Sequence, residues 1–134
     1  MKKLEKKSIN FKKKNIIIFY ASINFEYFSG NLKYLYLHFF KKNKYKVYFL
    51  TSHKRIFNEL SNNGMPVIYW NDSINDEKIK NILLSAKYTF FDYDFDYFRT
   101  NPHVHSLLSG AIKIQLWHCV ATKITNKEVI KDEN

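Results

Sequence analysis

Residues 16–20 read Ile-Ile-Ile-Phe-Tyr, and residues 45–50 read Tyr-Lys-Val-Tyr-Phe-Leu. Both stretches are short and rich in β-branched and aromatic residues, and a longer segment of mixed polarity separates them. Nearly continuous apolar runs of this length are typical of parallel strands, because helices cover both faces of a parallel sheet. The two stretches therefore predict the first two strands of an α/β fold.

The same alternation of short apolar runs and longer mixed segments continues along the chain. Three further strands are predicted at residues 66–70, 88–91 and 111–117. Helices are predicted between the strands, and crossovers of about ten residues join parallel neighbours. We therefore expect residues 15–125 to form one Rossmann-like α/β domain with a mainly parallel sheet and flanking helices.

Polar residues and a glycine mark the expected helix ends. Ser29 or Asn31 can cap a helix from about residue 32 to 42, and Ser52 can cap the next one, since their side-chain oxygens accept hydrogen bonds from free backbone N–H groups. Asn63 and Gly64 predict the end of that second helix. A short helix is also expected at about residues 104–109.

Composition excludes several classes of protein. A chain of 134 residues is long enough for one core but not for two nucleotide-sized domains. The three glycines are too far apart for a dinucleotide fingerprint or a P-loop, so we expect no cofactor. The single Cys119 excludes an intramolecular disulfide framework and a zinc site built from several cysteines.

The net charge of +10 is concentrated at the start of the chain. Seven lysines lie within residues 1–14, opposed only by Glu5, and predict a flexible basic tail. The apolar run 16–21 that follows is too short for a signal peptide or a membrane span. We expect a cytoplasmic protein whose tail either touches the inner face of the membrane or is simply solvated.

The strongest candidate for chemistry lies directly after the fifth strand. Ligands of open parallel sheets bind beyond the carboxyl ends of the strands, and residues 117–123 there read Trp-His-Cys-Val-Ala-Thr-Lys. Imidazole exchanges protons near neutral pH, so His118 could take a proton from an attacking hydroxyl, and Lys123 could hold phosphate oxygens. A structural histidine at a strand end is the alternative.

Weaker candidates follow the other strands. His53 could line the same cleft, and Asn31 with Ser29 could contact a substrate or act as plain helix caps. Asp92, Asp94 and Asp96 are two residues apart, so on an extended segment their carboxylates would face the same side and could bind Mg²⁺ or Mn²⁺. An ordinary strand end with polar residues on one face explains the pattern equally well. The histidine pair 103/105 has no cysteine nearby to complete a zinc set. We therefore predict no metal.

Three segments resemble a known family. Residues 112–118, Ile-Lys-Ile-Gln-Leu-Trp-His, followed by Lys123, resemble the L-W-H-G-x-x-x-K segment of the CDP-glycerol:poly(glycerophosphate) glycerophosphotransferases, which build teichoic acids and related capsule polymers. Residues 28–36, Phe-Ser-Gly-Asn-Leu-Lys-Tyr-Leu-Tyr, resemble the family's N-S-K-Y-L-Y helix start. Residues 86–92, Ala-Lys-Tyr-Thr-Phe-Phe-Asp, resemble its A-K-Y-x-x-x-D/N strand.

The resemblance implies one half of a glycosyltransferase-B-type fold, in which two Rossmann-like domains close on the substrates. It implies a CDP-glycerol or related CDP-polyol donor, bound mainly by a second domain, and a lipid-linked polyol phosphate acceptor. The family's catalytic base maps to His118. Cys119 stands where the family has glycine, and Ala121 stands where many members have proline.

The second domain of that family would not fit into the 11 residues after Lys123. Residues 126–134 are therefore expected to be a truncated tail, and the chain alone to be inactive, as a fragment, half of a split enzyme or a remnant. Two further classes stay open. One is a noncatalytic interaction domain, and the other is a basic nucleic-acid-binding module, which no recognisable motif supports.

Overall fold

The computed structural model describes residues 2–20, 28, 30–71, 75–91 and 102–116. Its five strands form one parallel sheet in the order β3-β2-β1-β4-β5. The predicted Rossmann-like α/β arrangement, a parallel sheet with flanking helices, is confirmed. The elements in chain order are α1 (Lys2–Asn10), β1 (Ile16–Tyr20), α2 (Gly30–Lys42), β2 (Lys46–Thr51), α3 (Lys54–Asn62), β3 (Val67–Tyr69), α4 (Glu77–Ser85), β4 (Tyr88–Phe91), α5 (Pro102–Leu107) and β5 (Ile112–Gln115).

Strand β1 is buried along its whole length because helices cover both faces of the sheet. Ile16, Ile18 and Tyr20 pack on the face that carries α4 and α5. Ile17 and Phe19 pack on the opposite face, against α2 and α3. This division explains why the strand is an unbroken apolar run rather than an alternating one.

The helix ends follow local chemistry, with small shifts from the predicted positions. Asp76 caps α4, since its carboxylate accepts hydrogen bonds from the backbone N–H groups of Lys78 and Ile79. Gly64 ends the turn after α3 with a φ of +71°, a conformation that glycine adopts without strain. Helix α3 begins after His53, not after Ser52 as predicted, and His53 makes no side-chain cap hydrogen bond.

Helix α2, with 13 residues, is shorter than the roughly 20 residues needed to cross a bilayer. None of the helices in the described part of the chain is long and apolar enough to span a membrane.

The first residues of the chain are not a flexible tail, in contrast to the prediction. Lys2–Asn10 form α1, in which Ser8 is fully buried. The Ser8 hydroxyl donates to the carbonyl of Leu107 at 2.7 Å and accepts from the backbone N–H of Gly110 at 2.9 Å. The charge count misleads here because α1 turns most of its lysines to solvent, while Leu4 and the following Phe11 pack on the core.

A lysine after α1 completes this attachment. The Lys13 ammonium donates to the carbonyl oxygens of Ser8, at 2.8 Å, and Leu84, at 2.7 Å. Both carbonyls lie in the last turns of their helices, where a positive charge is favourable. Lys13 therefore joins the carboxyl ends of α1 and α4.

Tyr36 holds the helix on the other face in place. Its ring is fully buried and meets Phe19 edge to face, with ring centroids 5.5 Å apart. Its hydroxyl donates to the carbonyl of Pro66 at 2.7 Å, and burial raises the pKa of this hydroxyl. The single side chain thus links α2, the central strand and the start of β3.

The close approach of α1 to the turn after α5 predicts a strong effect of Gly110→Ala. A Cβ atom at this position would lie 2.3 Å from the Ser8 carbonyl oxygen and 2.6 Å from the Lys13 ammonium. We expect the free energy of unfolding to fall by about 1–3 kcal/mol in urea titrations. The exposed variant Ser61→Ala serves as the control. Equal stability of Gly110→Ala and wild type would contradict the described docking of α1.

A matched pair of tyrosines on α2 tests the role of the Tyr36 hydroxyl. Tyr36→Phe removes the donor to Pro66 and should lower the free energy of unfolding by about 0.5–1.5 kcal/mol. Tyr34→Phe removes a hydroxyl from a side chain that is 71% exposed and should change little. Thermal or urea unfolding of both variants measures the difference. Equal effects would show that the hydrogen bond from Tyr36 to Pro66 contributes nothing to the free energy of unfolding.

Candidate functional site

The sheet has a topological switch point between β1 and β4. The two strands are parallel neighbours, but the chain continues from β1 to α2 on one face and from β4 to α5 on the other. Connections that diverge in this way leave a crevice beyond the carboxyl ends of the strands, where ligands of open α/β sheets bind. The carboxyl edge beside β1 and β4 is therefore the candidate site.

Strand register fixes which residues stand at this edge. Tyr20 pairs with Leu50 on one side and Phe91 on the other, and Phe91 pairs with Gln115. The segments that continue from the edge at 21–27, 92–101 and 117–134 lie outside the described residues. The predicted site residues Ser29, His118 and Lys123 also lie outside them, as do the alternating aspartates of residues 92–96.

His53 lies at the carboxyl edge, as its place in the sequence predicts. It follows the end of β2 by two residues, and its backbone N–H donates to the Thr51 hydroxyl at 3.0 Å. Its carbonyl accepts from the N–H of Phe57, closing the first turn of α3. The imidazole is half-buried. The residue therefore combines a capping position with a place beside the crevice.

Asn31 lies in the first turn of α2, one residue inside the helix. The helix begins at Gly30, whose φ of +69° turns the chain into it, so Asn31 is helical rather than the residue before the helix. The side chain is exposed. Because α2 leads away from β1, this first turn stands at the same edge as His53, at the end of the neighbouring strand.

A contact that the sequence did not predict crosses the α4/α5 face at this edge. Trp70, directly after β3, is 2% exposed, and its ring meets that of His103 edge to face with centroids 5.6 Å apart. His103 is the second residue of α5. The tryptophan thus reaches from the end of β3 to the helix after β4. Pro102 at the first helical position was the one local signal for where α5 begins.

Three buried polar side-chain atoms on this face have no hydrogen-bond partner among the described residues. They are Trp70 Nε1 and Gln115 Nε2, near the carboxyl edge, and Thr89 Oγ1, in the middle of β4. Gln115 is in register with Phe91, so both side chains point to the face where Phe91 packs in one cluster with Tyr20 and Trp70. An unsatisfied buried donor costs about 1–3 kcal/mol. Trp70 Nε1 and Gln115 Nε2 therefore lie buried beside the aromatic cluster of this edge.

The two histidines of α5 do not lie side by side. His103 and His105 are two residues apart on a helix, a spacing that does not place side chains side by side. Within the described ranges, no group of three or more histidine, cysteine, aspartate or glutamate side chains could hold a metal ion.

His105 belongs instead to a group of titratable side chains beneath α1. Burial lowers its pKa, nearby Lys113 lowers it further, and Glu5 opposes this effect. Burial also lowers the pKa of Lys113, whose ammonium donates to the carbonyls of Ser109 and Ala111 at 3.0 and 3.2 Å. Burial followed by repulsion from Lys113 lowers the pKa of Lys13. Backbone carbonyls near α1 therefore hold the ammonium groups of Lys13 and Lys113.

Comparison of the sequence with protein-family models, curated proteins and solved structures found no match. The Rossmann-like class therefore rests on strand order and direction in this molecule.

The lowered pKa of His105 predicts acid sensitivity. The folded chain binds a proton at His105 less readily than the unfolded chain, so the free energy of unfolding should fall as the pH drops below about 6.5 and level off below the folded pKa. His105→Gln should reduce this loss, measured by urea unfolding between about pH 7.5 and about pH 5. The exposed variant His38→Gln controls for removing an imidazole. Parallel profiles for His105→Gln and wild type would contradict the expectation.

Proposed function

We propose that the chain is the acceptor-side domain of a CDP-glycerol glycerophosphotransferase-like enzyme, which transfers glycerol phosphate or a similar polyol phosphate to a lipid-linked teichoic acid or capsule acceptor. One observation carries the proposal. The segment that resembles the family's catalytic motif begins with β5 and leaves the sheet at its carboxyl edge, where β5 lies beside β4 of the switch point. His118 follows Gln115, the last residue of β5, by three positions.

The proposed reaction needs one base and positive charge. His118 takes the proton from the acceptor hydroxyl as the hydroxyl oxygen attacks the glycerol-bearing phosphorus of the donor. A new phosphate ester bond forms, the diphosphate bond breaks, and CMP leaves with the electron pair. General-base help of this kind typically accelerates a reaction about 10²–10⁴-fold. Lys123 would stabilise the charge on the phosphate oxygens.

The described edge supports the acceptor role through its chemistry. A polyol phosphate is rich in oxygen atoms, and Trp70 Nε1 and Gln115 Nε2 are buried donors without acceptors in the described part of the chain. Asn31, Ser29 and His53 are proposed to contact the acceptor from the ends of the first two strands. In this proposal the nucleotide of the donor is held by a second domain, as the resemblance implies.

The proposal also gives the basic surface of α1 a role. Lys2, Lys3, Lys6 and Lys7 are exposed on this helix. Each lysine near an anionic membrane contributes about 1 kcal/mol of attraction, screened by salt. These charges would hold the domain at the inner face of the membrane, where a lipid-linked acceptor is found.

The decisive measurement is release of CMP from CDP-glycerol in the presence of a lipid-linked acceptor, with a donor-binding domain supplied together with this chain. His118→Ala should lower the rate about 10²–10⁴-fold without changing stability. His38→Ala, which removes an exposed imidazole from α2, is the matched control and should retain the wild-type rate. Wild-type rates for His118→Ala would refute the assignment of the base, and no CMP release by the wild-type chain would refute the proposed function.

A further inference from the structure

A cavity lies at the opposite end of the strands from the candidate site. It has a volume of about 480 Å³ and opens on the α4/α5 face, between α4 and the amino ends of β1 and β2. Ile16 and Lys46, the first residues of these two strands, are paired in register and both line it. We call this cavity the amino-end groove.

Three lysines from three separate segments line the amino-end groove. Lys14 precedes β1, Lys46 begins β2, and Lys78 lies in the first turn of α4. Among the residues that the structure describes, no carboxylate lines the groove. Two ion pairs form between described residues, Arg55 with Glu59 and Lys80 with Glu77, and neither involves these three lysines. Three positive charges without a carboxylate among the described lining residues make the electrostatic potential of the groove positive, and this favours an anion.

Backbone hydrogen bonds hold the walls of the groove in place. The N–H of Lys14 donates to the carbonyl of Ser85 at the end of α4, and the N–H of Lys46 donates to the carbonyl of Asn15, each at 2.8 Å. The Ser85 hydroxyl donates to the carbonyl of Asn81 at 2.7 Å. The backbones of Lys14 and Lys46 are therefore fixed, and only their long side chains need to adjust to a ligand.

The rest of the lining is apolar. Tyr48 and Ile82 are half-buried and face the groove together with Ile16. A cavity of a few hundred Å³ that combines apolar walls with a few polar groups is typical of a small-molecule site. Lysine acts on phosphate as a flexible point charge and needs no fixed hydrogen-bond geometry.

We propose that the amino-end groove binds a small organic phosphate with at least two negative charges and a planar or apolar group, of the size of a nucleoside diphosphate. The phosphates lie among Lys14, Lys46 and Lys78, and the planar group lies against Tyr48 and Ile82. The proposal is independent of the transferase function, because the groove and the carboxyl edge share no residue.

Titration calorimetry with ADP at low salt tests the proposal. The triple variant Lys14→Gln, Lys46→Gln, Lys78→Gln should bind ADP at least about tenfold more weakly than wild type, since hydrogen bonds to charged groups are lost. The control variant Lys41→Gln, Lys42→Gln, Lys54→Gln loses the same charge at exposed positions outside the groove and should change the Kd less than about twofold. Circular dichroism verifies that each variant is folded.

Several results would overturn the proposal. Absence of ADP binding by the wild-type chain would do so, as would equal affinities of wild type and the groove variant. Equal losses in both triple variants would indicate a general effect of net charge. Inorganic pyrophosphate that competes as strongly as ADP would contradict the role of Tyr48 and Ile82. If the triple variant fails to fold, Lys46→Gln alone, whose side chain is exposed, should still weaken binding measurably.

Discussion

The double-sided burial of β1 is the constraint on which the other elements depend. The strand pairs with β2 on one side and β4 on the other, and all five of its residues are buried. Its backbone hydrogen bonds are therefore made within the sheet, and its side chains require a helical layer on each face. The need to cover both faces separates α2 from α5. That separation creates the switch point at the carboxyl edge.

The strands and their order of appearance could be predicted because burial on two faces leaves a simple pattern in the sequence. Helix α1 could not, because its lysines dominate the local composition while its attachment depends on one serine hydroxyl and the absence of a side chain at Gly110. These partners are about a hundred residues away in sequence. No local pattern in the sequence indicates a contact between residues so far apart. The start of α3 was misplaced for a smaller reason, since Thr51 rather than Ser52 supplies the hydroxyl near the helix start.

The candidate site was predictable to the extent that it follows from strand ends. His53 and Asn31 stand at the expected edge because each comes shortly after a strand of a parallel sheet. The Trp70–His103 contact was not predictable, because it joins the end of β3 to the start of α5, and the strands before them, β3 and β4, are not neighbours in the sheet. The roles of His118, Lys123 and Ser29 stay predictions from the sequence. The chemistry proposed for the site therefore comes from the sequence motif that contains His118, and the location of the site comes from the sheet.

The attachment of α1 also bears on the order in which the chain folds during synthesis. Strands β1, β2 and β3 are neighbours in sequence and in the sheet, so they can pair as soon as they leave the ribosome. Helix α1 is made before β1, yet its partners Leu107 and Gly110 directly precede β5 and are made much later. Until then its hydrogen-bonding groups stay in water. Helix α1 therefore docks later than the three strands that follow it, together with the edge strand β5.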